Sequence, residues 1–87
     1  MPATRVAKEW ADLCNELRSA QRTVMEAQER VSAGIRTALG PAPEAIDEQD
    51  VEAYCQALEW RRDVDRRMQH LIERYGHALG VAAPSEH

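Results

Sequence analysis

The chain has no Phe, two Cys, four Gly, four Pro and a single Lys. Val, Ile and Leu together supply only 15 of its 87 residues. Each shortage excludes something. So few large apolar and aromatic residues rule out a sizeable enclosed core or a β-sandwich. Two cysteines, Cys14 and Cys55, make neither a disulfide framework nor a CxxC site. The N-terminus has no hydrophobic signal core, and no apolar run approaches the roughly 20 residues a membrane span needs. A cytoplasmic protein is expected. There is no Gly-rich phosphate loop, and Ser19, Ser32 and Ser85 offer no triad with His and an acid. The expectation is therefore a non-enzymatic chain with no catalytic residue, no cofactor, no small-molecule substrate and no resident metal.

What is present is helix-forming. Ala, Glu, Lys, Leu and Arg account for 41 of 87 residues, a composition typical of long helices and coiled coils. The net charge is −4, from 11 bases and 15 acids, which argues against a general binder of nucleic acid or anionic membrane. The charge is unevenly spread. Residues 41–60 carry six acids and no base, whereas residues 61–74 set five Arg against three acids.

Apolar or small residues at Val6, Trp10, Leu13, Leu17, Ala20, Val24, Ala27, Val31, Gly34 and Ala38 alternate in steps of four and three. That heptad pattern predicts one helix over about residues 4–39. Thr4 is its expected N-cap, Gly40 fits a left-handed position past its end, and Pro41 cannot continue it. After a turn over residues 40–47, Asp47 can cap a second helix over about 48–79, with Asp50 echoing a capping box and Ile46 and Val51 forming a staple. Gly76 offers an earlier stop, and residues 81–87 read as a flexible tail. The acids of residues 47–52 also suit the positive end of the helix dipole.

Two long helices with a short turn predict an all-α antiparallel two-helix hairpin, a single domain over residues 1–80. A register set by the turn pairs Val6 with Leu79, Trp10 with Tyr75, Leu13 with Ile72, Leu17 with Met68, Ala27 with Leu58, Val31 with Tyr54 and Gly34 with Val51. Its middle places Arg61 against Val24 and Asp65 against Ala20. Either Arg61 and Asp65 bridge each other while the Arg61 stem covers Val24, or the seam shifts through Trp60 and Val64 to Met68. The first reading is preferred. It leaves a second apolar stripe, including Met25, Ile35, Ala57, Trp60, Val64 and Leu71, as the expected interface. A second copy would close it into a four-helix bundle, and a heteromeric protein partner would serve the same physics. In this register Cys14 and Cys55 lie about 24 Å apart, too far to bridge, and both read as small buried apolar residues.

Two other constellations bear weighing. Arg61, Arg62, Arg66 and Arg67 form a local basic cluster beside Trp60, the basis of an alternative reading as a small nucleic-acid-binding regulator. Asp63 and Asp65 interleave with them, however, and the spacings Arg61–Asp65, Asp63–Arg67 and Glu59–Arg62 suit a solvated ion-paired helix face better. His70, Glu73 and His77 share a helical face near Asp12, but the two His stand about 10 Å apart along the axis, too far for one ion. In shape alone the expected hairpin resembles secretion needle subunits and their co-chaperones, Trp-x-Gly secreted hairpins and dimeric RNA-binding hairpins. The Trp-x-Gly turn is absent, since the turn reads Gly40-Pro41-Ala42-Pro43. The resemblance implies a structural or interaction role: an adaptor, a chaperone-like subunit or a regulator.

Overall fold

The computed structural model describes residues 2–42 and 44–76, which form two helices packed against each other as a hairpin. Helix α1 spans Pro2–Ala38 and α2 spans Glu48–Tyr75. Proline suits the first turn of a helix, where its missing N–H would have no partner anyway. The helix therefore starts ahead of Thr4, which lies inside it rather than capping it. At the other end the bonding tightens. The Leu39 N–H donates to the Ile35 carbonyl at 3.0 Å and the Gly40 N–H to the Thr37 carbonyl at 3.1 Å. Pro41 then has no N–H to offer. Gly40 stays outside the left-handed region, because this tightened turn ends the helix without reversing the backbone.

Asp47 caps α2 as expected, its Oδ1 accepting from the Gln49 N–H at 2.9 Å with extended backbone angles of −71° and 121°. Asp50 does something else: its carboxylate faces Arg30 of α1 at 3.6 Å, tying the start of α2 to its neighbour. Ile46 likewise turns to α1 and packs at Gly34, while Val51 remains 40% exposed. A methyl group on Gly34 would stand 3.7 Å from Ile46 Cγ2, ordinary contact distance. Gly34→Ala should therefore raise the denaturation midpoint, adding about 0.5–1 kcal/mol by restricting the unfolded chain and improving the helix. Helix α2 ends at Tyr75, and Gly76 keeps right-handed angles of −54° and −40°. The expected continuation to Leu79, the Val6–Leu79 pairing, His77 and the tail over 81–87 lie outside the described residues.

Along α1 the seam is the expected one. Val6, Ala20, Val24 and Ala27 are buried, and Trp10, Leu13, Leu17, Val31, Gly34 and Ala38 are half-buried. Along α2 it is not. The buried line is Ala57, Val64 and Leu71, a strict seven-residue repeat, while Asp65 is exposed and Arg61 half-buried at its flank. Compared with the expected pairing, α2 is turned about its axis by somewhat less than the ~100° of one residue. The reason is desolvation. The expected seam would bury Asp65 and Arg61 against Ala20 and Val24, at a cost of several kcal/mol for an imperfectly paired charge. The rotation substitutes Val64, which is 0% exposed. The seam thus takes the path through Trp60 and Val64, then continues to Leu71 instead of Met68. Ala20, Ala27 and Ala57, each at most 3% exposed, are the small residues at the contact.

Candidate functional site

The rotation of α2 gives the hairpin two unlike sides. On one, Glu16 of α1 reaches across the seam. Its Oε2 accepts from the Trp60 indole N–H at 2.9 Å and from Arg67 Nη2 at 2.7 Å, and its Oε1 accepts from Arg67 Nη1 at 3.3 Å. Arg67 Nε donates in turn to Asp63 Oδ2 at 3.1 Å, one helical turn away. A planar guanidinium suits this fork, because two parallel N–H bonds meet two carboxylate oxygens. The Arg67 bonds, followed by the Trp60 bond, hold the Glu16 carboxyl below its ordinary value, and the same pairing raises Arg67. A carboxyl depressed on folding stabilises the fold above its unfolded value, and that contribution is lost as pH falls through its folded value. Acidification below the ordinary glutamate range should therefore lower the thermal midpoint, and Glu16→Gln should flatten that dependence in melts recorded across the range.

Beside this clamp lies an open groove of ≈ 430 Å³. Glu9, Asp12 and Glu16 stand on its α1 wall; Arg66, Arg67, His70 and Arg74 on its α2 wall. The charges are sorted by wall and oppose one another. No buried side-chain polar atom among the described residues lacks a hydrogen-bond partner, and no three ligating side chains there converge on a metal position. The groove thus presents a charged rim.

The other side is mostly apolar, interrupted by Gln21, Gln28, Arg61 and Asp65. Successive helical residues turn by about 100°, which places Cys14, Leu17, Gln21, Gln28 and Ile35 on the flank of α1 opposite Glu16, with Met25 and Leu39 further round. By the same rotation Val51, Tyr54, Leu58, Arg61, Asp65, Met68 and Ile72 form the flank of α2 opposite Trp60 and Arg67. Both stripes lie on one side of the hairpin. Met25 is 66% exposed, Leu39 82%, Ile35 42% and Val51 40%; Tyr54, Leu58, Met68 and Ile72 are half-buried.

This arrangement corrects the expected interface. Met25 and Ile35 are open, as anticipated, but Ala57, Val64 and Leu71 belong to the hairpin's own core and Trp60 to the clamp. The residues expected to close the hairpin, Tyr54, Leu58, Met68 and Ile72, edge the open face instead. The cysteines are free, with Cys14 half-buried and Cys55 exposed, so Cys55 is not a core residue. Of the expected helix-surface pairs, Asp63–Arg67 forms, with Asp63–Arg66 beside it at 4.0 Å. Arg61 and Asp65 do not bridge, nor do Glu59 and Arg62; the half-buried Arg61 lies at the seam's flank. Arg61, Arg62, Arg66 and Arg67 accordingly do not share one free surface: Arg67 is occupied by Glu16. The clamp was the feature missed in the sequence. A signal existed, since a Trp at the edge of a seam needs an acceptor for its N–H.

No helix among the described residues is long and apolar enough to cross a membrane. Comparison of the chain with protein-family models, curated proteins and solved structures yields no match.

Proposed function

We propose that this chain is a non-enzymatic helical interaction protein, an adaptor, chaperone-like subunit or regulator, that works by laying its open apolar face against another helical surface. The observation that supports the reading is the asymmetry of the hairpin. One side carries the Glu16–Trp60–Arg67 clamp and its charged groove, whereas the other leaves Met25, Ile35, Leu39 and Val51 in solvent beside half-buried Tyr54, Leu58, Met68 and Ile72. A helix packed along that face would bury an i, i+3, i+4, i+7 series of anchors, the usual helix-in-groove mode of recognition. The nucleic-acid alternative is weakened, since two of its four arginines, Arg66 and Arg67, already face Asp63 and Glu16.

Leu58→Asp tests the reading, because it places a charge on the open face without entering the Ala57–Val64–Leu71 core. By light scattering, wild-type protein should exceed the 9.8 kDa of one chain, through self-association or a bound partner. Leu58→Asp should return to one chain's mass with its helical circular dichroism retained. Wild-type protein that stays at one chain's mass, together with partner capture that Leu58→Asp leaves unchanged, would dispose of the proposal.

A further inference from the structure

We infer that a second copy of this chain covers the open face, lying antiparallel to the first so that Arg61 of each copy meets Asp65 of the other across a two-fold axis near residue 63. The inference rests on the reading of this face as an interaction surface and names its occupant.

The first support is the order of residues along the α2 stripe. Any stripe with alternating steps of three and four is symmetric in spacing; what is particular here is the kind of residue at each position. About residue 63, Leu58 mirrors Met68 and Tyr54 mirrors Ile72. The remaining pair is Arg61 and Asp65. Laid antiparallel on its own copy, the stripe sets apolar residues on apolar ones, and its two charged positions meet opposite charges. A two-fold interface has this self-complementary form, because each contact is made twice by the same patch.

The second support is that these two charges are unspent. Arg61 and Asp65 are four residues apart, the usual spacing of a helix-surface pair, yet neither has an ion-pair partner among the described residues. Their neighbours do pair: Asp63 faces both Arg66 and Arg67, and Arg67 also holds Glu16.

The third support is the charge along the hairpin. The half nearest the turn, residues 24–60, has eight acids and two bases, a net of −6. The far half, residues 2–23 and 61–76, has nine bases and six acids, a net of +3. Antiparallel copies place the acidic half of each beside the basic half of the other. A parallel arrangement would set acid on acid at one end and Arg61 on Arg61 in the middle. Opposed potentials fix orientation in this way even where they add little affinity.

Charge exchange tests the pairing. Arg61→Asp and Asp65→Arg should each weaken self-association about tenfold or more in sedimentation equilibrium, since each sets like charges together. The double variant should recover to within about threefold of wild type, as opposite charges face again. Singles without effect, or a double no better than the singles, would overturn the inference. Orientation is read independently by spin labels on exposed Cys55 in a Cys14→Ser background, which does not depend on how well the charge variants fold. Antiparallel copies separate the two labels by about 24 Å along the axis, eight residues on either side of residue 63. Labels side by side would overturn it. A chain that never self-associates, yet binds another protein through Leu58, would defeat this inference and leave the proposed function standing; no face-dependent binding of any kind would defeat both.

Discussion

Val64→Asp unfolds the hairpin. Val64 is the centre of the buried line on α2 and is 0% exposed, with Ala57 at 3% and Leu71 at 6% one heptad to either side. Removing its side chain from the seam forfeits about 1.5–3 kcal/mol of apolar burial, and the new carboxylate would stand at a fully buried position. A hairpin of this size draws only about 3–5 kcal/mol from its own core, so the variant should lose its cooperative thermal transition and most of its helical circular dichroism. Gln69→Asp adds the same charge on an exposed turn of the same helix and should cost no more than about 0.5 kcal/mol. A folded Val64→Asp variant would mean that α2 faces α1 through some other line.

Trp60→Ala should cost about 2–3 kcal/mol, read as a fall in the urea midpoint. The indole is half-buried, so its truncation loses less than the 3–5 kcal/mol of a fully buried Trp. It also deprives Glu16 of one of its donors. Trp60→Phe separates these effects by keeping the ring's apolar bulk while deleting the N–H that reaches Glu16 at 2.9 Å. Because Arg67 continues to hold both carboxylate oxygens, Trp60→Phe should cost only about 1 kcal/mol. Equal losses in the two variants would assign the clamp's worth to the hydrogen bond and not to packing.

Much of this fold was legible in the sequence because α1 carries a single unbroken heptad stripe. Ala20, Val24 and Ala27 fall on it and all three are buried, whereas the second stripe of α1 is interrupted by Gln21 and Gln28. The Asp47 cap could be read for a similar reason, since it depends on a local bond from the Gln49 N–H and on nothing distant. Helix α2 offers two apolar stripes less than a quarter-turn or so apart, one through Tyr54, Leu58 and Met68 and the other through Ala57, Val64 and Leu71. Periodicity scores them alike. Counting apolar positions favours the first, but it treats Arg61 and Asp65 as tolerable interruptions when their burial is the deciding cost. The open face was foreseen as a feature of the hairpin; which residues of α2 line it followed from that choice. The cross-helix bond of Asp50 to Arg30 and the fork of Glu16 depend on the register between helices, which no local pattern specifies.

The Glu16 clamp also bears on the order in which the hairpin opens and closes. Its partners are 51 residues apart in the chain, whereas Arg30 and Asp50, near the turn, are separated by 20. Closing a longer loop costs more entropy unless nearer contacts have already shortened it. Loop entropy therefore favours closure from the Gly40–Pro41 turn toward the chain ends, with the clamp expected to form after the seam beneath it. Interactions absent from the transition state govern the unfolding rate and leave the folding rate nearly untouched. On that order Glu16 is expected to act as a latch, setting how long a closed hairpin stays closed, while the turn sets how quickly it closes.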